Sequence, residues 1–189
     1  VQPGELSDDE MNPFWYKLPA APITAARNSA QKPTLAKLKN TIARIQKKTD
    51  HLLIEGAGGL MVPLAKNLTW EHLIQALQCP VLIAAENKLG AINHTLLTIS
   101  RLQTLGPQKK IICLMNHRPT PEVTGNRAII SKICKKTPVF EIPFLGEKAS
   151  KLDQIAAGQK KIKKTLVQIL KIVWNGRRLR VQRTQTGSS

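Results

Sequence analysis

The sequence is poor in the residues that commit a chain to several common roles. Three cysteines, Cys79, Cys113 and Cys134, stand among 189 residues. They cannot complete a set of disulfides, and no CxxC spacing joins them, so they read as small buried hydrophobes in a reducing compartment. Aromatics are scarce as well, and Trp15, Trp70 and Trp174 are too scattered to form a platform on which bases stack. No apolar run reaches the roughly 18 residues of a membrane-spanning helix. The opening segment, Val1–Glu10, is acidic and polar, unlike a secretory signal. These absences predict a cytoplasmic protein with no membrane partner. Acidic residues are the last shortage: 12 Asp and Glu face 29 Lys and Arg, a formal net charge of +17.

Such a charge makes nucleic acid or an anionic surface the first partner to consider. Its location argues otherwise. Nine of the basic residues lie between Lys160 and Arg183 with no acid among them, about half of the +17. Ile162, Leu166, Ile169, Leu170 and Val173 recur between the lysines at helical spacing, the pattern of a surface helix with one apolar stripe. No aromatics interleave with this run. We therefore read it as a solvated helix face and expect no nucleic-acid partner. The domain is expected to span residues 1–174, with 175–189 a basic and polar tail lacking fixed structure.

The remaining chain alternates short apolar runs with helical patterns. His51–Glu55, Val81–Glu86, Ile111–Asn116 and Val139–Pro143 read as strands, apolar enough to be covered on both faces. Helices are expected over Pro33–Thr49, over Thr69–Gln78 behind a Thr69 cap, and over Ala91–Leu105 as far as Gly106-Pro107. Others follow over Glu122–Lys136 and from about Lys160. Arg118-Pro119-Thr120-Pro121 reads as a loop after the third strand. Strand–helix alternation of this kind specifies an α/β fold, a mainly parallel sheet flanked by helices.

Chemistry concentrates at the strand ends. His51–Glu55 closes on a carboxylate, and Gly56, Gly58 and Gly59 follow it. Ligands of open parallel sheets bind beyond the carboxyl ends of the strands. Glycines there allow backbone N–H groups to approach phosphate oxygens, and a neighbouring carboxylate suits phosphate-bound Mg²⁺. The second strand runs into Leu89-Gly90-Ala91-Ile92-Asn93, a helix start whose unpaired N–H groups attract an anion. The third ends in Asn116-His117, where an amide offers a base both donors and an acceptor. The fourth ends in Pro143-Phe144-Leu145, an apolar lip for a flat ring. Each feature alone has a plainer explanation as a cap, a turn or a hydrophobic edge; together they describe a site for one nucleotide and one small anion. His51, His72, His94 and His117 form no pair at metal-ligand spacing.

Four segments in this order, EGAGGLMVPL (55–64), NKLGAINHTLLT (87–98), MNHRP (115–119) and EIPFLGE (141–147), resemble the dethiobiotin synthetases. NPFWYKLPAAPITAA (12–26) is similar to the segment before that family's first long helix. The resemblance covers roughly residues 12 to 150. It implies a homodimeric α/β protein of the P-loop NTPase type that converts 7,8-diaminononanoate, CO2 and MgATP into dethiobiotin, ADP and phosphate in biotin biosynthesis. Carried over by position, it implies ATP contacts at Glu55, Gly56, Ala57, Gly58, Asn116, His117, Pro143, Phe144 and Leu145, with Glu55 the Mg²⁺ ligand. Leu89, Gly90, Ala91, Ile92 and Asn93 would hold the carboxylate of a diamine acid reached across the dimer interface.

The sequence also departs from that family. No GxxxxGK[ST] occurs in it, and no lysine or early aspartate matches the family's substrate and metal contacts. Ile23, His117 and Ser150 stand where the family often has other residues. No residue is therefore assigned a catalytic role. The expectation is a family fold lacking its N-terminal strand and P-loop, with impaired ATP-dependent carboxylation and ring closure. The alternative is a non-catalytic remnant that binds a nucleotide or a partner.

Overall fold

The computed structural model describes residues 6–56, 58–106, 109–116, 121–146 and 152–174. The chain forms two compact units, Val1–Cys79 with Thr98–Gln108, and Pro80–Leu97 with Lys109–Ser189. Among the described residues, no helix is long and apolar enough to cross a membrane.

The first unit opens with two single-turn helices, α1 (Asp8–Met11) and α2 (Pro22–Ala25), and a longer one, α3 (Leu35–Gln46). Thr34 starts α3 by accepting the Lys37 N–H on its hydroxyl at 3.2 Å, which satisfies one of the donors every helix start leaves open. Leu38, Ile42 and Ile45 fall on one face and are buried, as the 3.6-residue period requires. A small antiparallel hairpin follows, β1 (Pro63–Ala65) and β2 (Leu68–Thr69). Asn67 turns it with φ at 59°, a conformation Asn tolerates better than most residues. Helix α4 (Trp70–Leu77) comes next. The Thr69 N–H donates to His72 Nδ1 at 3.1 Å, with the Thr69 hydroxyl 2.9 Å from the same nitrogen. The predicted Thr69 start is thus in place. Leu38, Ile42, Leu64, Leu68 and Leu73 form this unit's core, with Phe14, Leu52 and Trp70 packed against it.

His51–Glu55 is not a strand, contrary to expectation. Leu52 reaches the core, but Leu53 is 79 % exposed and Ile54 40 %. A β-run needs a neighbour presenting its own N–H and C=O groups, and no strand pairs with this segment among the described residues.

The second unit is a three-stranded parallel sheet in the order β3-β4-β5. Its strands are β3 (Val81–Asn87), β4 (Lys110–Asn116) and β5 (Val139–Ile142). Helix α5 (Ala91–Gln103) connects β3 to β4, and α6 (Asn126–Ile133) connects β4 to β5. Ile111, Ile112, Cys113 and Leu114 make β4 the buried centre, none more than 3 % exposed. Ile162 and Ile169 of the last helix, α7 (Leu152–Trp174), join Ile111, Cys113 and Ile142 in one core cluster. The expected α/β fold, a parallel sheet flanked by helices, is therefore present.

Two details differ. Strand β3 is not covered on both faces, since its exposure alternates and Leu82 is 43 % exposed; it is a sheet edge among the described residues. Helix α7 starts at Leu152, well before Lys160, and so passes through Gly158. A Cβ at Gly158 would stand 3.3 Å from Leu145 Cδ1. Glycine there allows close approach and does not break the helix.

Candidate functional site

Parallel strands in register bring their carboxyl ends to one edge of the sheet. Asn87 lies opposite Asn116, and Met115 opposite Ile142. The edge thus carries Asn87 and the start of α5, then Asn116, then the segment after Ile142.

At the first of these, Gly90 takes φ at 90°, where an L side chain is strained and glycine is not. Its carbonyl accepts the His94 N–H at 3.0 Å, and the Ala91 N–H donates to the Lys88 carbonyl at 2.9 Å. These bonds start α5. Ala91 is 3 % exposed and Asn93 is exposed. Leu89, at 84 % exposure, stands out from the turn. One turn further on, Thr95 is 1 % exposed, and its hydroxyl has no hydrogen-bond partner among the described residues.

The second position holds a feature that sequence inspection missed. Asn87 Nδ2 donates to Asn116 Oδ1 at 2.6 Å, and Asn126 Nδ2 donates to Asn87 Oδ1 at 2.8 Å. Asn87 is 3 % and Asn126 6 % exposed, while Asn116 is half-buried. Three amides from two strands and a helix start thus form one relay ending on the candidate base reader. Buried amides must be satisfied, and here they satisfy one another. The available signal was an Asn in the last position of each of two apolar strands, where an aliphatic residue is the ordinary choice.

At the third position, Pro143 is exposed and Phe144 and Leu145 are half-buried. Leu145 packs against the core cluster and against Gly158 of α7, so its side chain helps seat the last helix.

Glu55 and its glycines belong to the first unit. Glu55 is exposed, as are Gly56, Gly58 and Gly59. Gly56 lies against the indole of Trp70, where a Cβ would stand 3.1 Å from Cδ2. Gly58 has φ at 79°, and a Cβ there would meet Val62 Cγ2 at 3.0 Å. The Val62 N–H closes the turn on the Gly59 carbonyl at 3.0 Å. No cluster of three metal-ligating side chains exists among the described residues. A single exposed carboxylate on a glycine loop does fit Mg²⁺ carried by phosphates, which needs only one or two protein carboxylates. Ala57, His117, Ser150 and the tail 175–189 lie outside the described residues.

A family model described as an AAA domain matches residues 5–148. The ATP-dependent dethiobiotin synthetase of Bacillus subtilis (strain 168) is 34 % identical over 143 residues, 75 % of this chain and 59 % of that protein. That of Bacillus velezensis is 32 % identical over 154 residues, 80 % of this chain and 63 % of its own length. That of Anaeromyxobacter sp. (strain K) is 32 % identical over 158 residues, 75 % of this chain and 71 % of its own. The chain spans about three-fifths of the length of the first curated relatives it matches.

Proposed function

The chain belongs to the dethiobiotin synthetase family, and on that premise we propose that it binds ATP and a diamine acid at the carboxyl edge of its parallel sheet. One observation carries the reading. The register of β3, β4 and β5 puts a helix start, a half-buried amide and an apolar segment side by side. Asn116 would hydrogen-bond adenine, with Pro143, Phe144 and Leu145 against the ring and His117 beside it. The start of α5, Leu89 to Asn93, would hold a carboxylate with the N–H groups left open by the first turn. In a homodimer, that carboxylate would come from the substrate of the neighbouring subunit. Glu55 would hold Mg²⁺, with Gly56, Ala57 and Gly58 along the phosphates. Bound there, Mg²⁺ would supply charge neutralisation at the phosphate oxygens.

The substrates that suit this site are 7,8-diaminononanoate and CO2, in the cytoplasm and in biotin biosynthesis. One amine adds to CO2 to give a carbamate. A carbamate oxygen then attacks the γ-phosphorus of ATP, and ADP leaves. The second amine attacks the carbonyl carbon of this mixed anhydride, phosphate leaves, and the ring closes. The residues named here position the reactants, which is most of what a protein does in phosphoryl transfer. The strongest electrostatic help in that step comes from a P-loop lysine and hydroxyl. With no GxxxxGK[ST] in the sequence, we infer that a polypeptide of these 189 residues binds its ligands and turns them over poorly. The same feature favours the second reading, a nucleotide- or partner-binding protein without turnover.

Calorimetric titration with MgATP and with 7,8-diaminononanoate tests binding, and phosphate release with both ligands and bicarbonate tests turnover. Heat from both ligands with slow phosphate release is the expected result. Heat with no release selects the second reading, and no heat from either ligand refutes both.

A further inference from the structure

We propose that Asn87 and Asn126 are positioning residues that fix which way the Asn116 amide faces the base, and so set a preference for adenine over guanine. This rests on the reading of Asn116 as the base contact. An amide's oxygen and NH2 group are nearly equal in size, so packing alone cannot choose between its two orientations; a hydrogen-bond partner must. Asn87 is that partner, donating to Asn116 Oδ1 at 2.6 Å. A lone Asn87 could turn as well, but Asn126 donates to its Oδ1 at 2.8 Å and both residues are buried. As the structure places the three amides, donation runs from Asn126 through Asn87 to Asn116.

The direction has a consequence for the base. Asn116 Oδ1 keeps one lone pair after Asn87 takes the other, and its Nδ2 remains a donor. Acceptor beside donor matches adenine, which shows the N6 amino group beside N7. Guanine shows O6 beside N7, two acceptors, and sets a lone pair against the Asn116 carbonyl. Discrimination by a bidentate amide of this kind is on the order of tenfold or more.

The relay can be reversed while every side chain in it keeps its size and shape. In Asn87→Asp the carboxylate still accepts from Asn126 but cannot donate, so Asn116 must turn its NH2 group inward. In Asn126→Asp the carboxylate accepts from Asn87, whose oxygen then faces Asn116, and the same reversal arrives from one residue further away. A residue that only stabilises the fold has no reason to change the ratio of two nucleotide affinities.

The test is calorimetric Kd measurement for MgATP and MgGTP with the full chain and with Asn87→Asp, Asn126→Asp and Asn116→Ala. Circular dichroism serves as the check on folding. A tenfold or greater preference for ATP in the unaltered chain, lost at least tenfold in both aspartate variants, supports the relay. An unchanged ATP-to-GTP ratio in folded aspartate variants overturns it, provided Asn116→Ala weakens ATP binding. If Asn116→Ala leaves ATP binding unchanged, the base-contact reading itself fails. Should the aspartate variants not fold, side-chain NH2 resonances of the unaltered, ¹⁵N-labelled chain decide. Protected NH2 pairs for Asn87 and Asn126, with ATP shifting the Asn116 pair, support the relay; exchange as fast as exposed amides overturns it.

Discussion

Replacing Arg101 with Met isolates a single ion pair in the first unit. Arg101 Nε and Nη2 donate to the two oxygens of Glu71 at 2.7 and 2.9 Å. Glu71 sits in the first turn of α4 and Arg101 in the last turn of α5, so each charge also complements the partial charge of its own helix end. Glu71 is 7 % exposed, while the Arg101 side chain is 46 % exposed. Met keeps much of the aliphatic stem and removes both charge-assisted bonds, leaving a buried carboxylate unpaired. A fully buried pair broken this way costs about 3–5 kcal/mol, and an exposed one less than about 1. The half-exposed guanidinium places this pair between them, at about 2 kcal/mol. At a typical urea dependence of about 2 kcal/mol per molar, the unfolding midpoint falls by about 1 M. Fluorescence of Trp70, the residue before Glu71, follows the transition.

The pH dependence provides a second check. The Arg101 hydrogen bonds hold the Glu71 carboxyl below the usual carboxylate range, against the opposing effect of burial. A depressed carboxylate contributes stability that is present above its unfolded pKa, about 4.3, and lost as pH falls through the folded value. The gap between the unaltered chain and Arg101→Met should therefore be full at pH 7 and narrow below about pH 4. A gap under about 0.5 kcal/mol at pH 7, or one equally wide at pH 3, would refute the assignment of stability to this pair.

Other expectations follow from single contacts. Gly56→Ala pushes a methyl group against the Trp70 indole at 3.1 Å and should cost about 1–2 kcal/mol by overpacking, read by urea unfolding. In Gly158→Ala the nearest atoms among the described residues belong to half-buried Leu145, its Cδ1 at 3.3 Å. Better helix propensity should win there, raising stability by up to about 1 kcal/mol; a measured loss would mean Leu145 cannot yield. Burial pushes the Cys113 thiol up to about 11 and raises Cys134 and Cys79 as well. Partly exposed Cys79 should thus react first with a thiol reagent at pH 8, and Cys113 only on unfolding, as peptide mapping would show.

What could be read in the sequence was whatever a segment decides locally. Leu38, Ile42 and Ile45 announce α3 by spacing alone, and Thr69 announces α4 by its chemistry. The apolar runs at 81–86 and 111–116 do become strands, each one residue longer than expected. His51–Glu55 has the same composition and fails, because pairing depends on a distant neighbour. The expected start of the last helix near Lys160 falls eight residues late, and the reason Gly158 is tolerated inside α7 lies in Leu145, on the segment before the helix. The candidate site divides along the same line. Asn116 is a candidate by its place at a strand end, whereas the role proposed for Asn87 and Asn126 rests on a bond spanning 39 positions of sequence. No local pattern encodes that bond.

As an edge strand among the described residues, β3 gives the sheet two kinds of backbone amide on one strand. The Val81 N–H is bonded to the Lys109 carbonyl at 2.8 Å, and alternate residues of a strand point the same way. Val81, Ile83 and Ala85 therefore turn their N–H groups toward β4, while Leu82 and Ala84 turn theirs outward. In heavy water the strand should label as a stagger, alternate positions taking up deuterium quickly and the rest slowly. That stagger is also a means of detection: anything that lays an extended chain along β3 will slow the fast positions and leave the slow ones as they were.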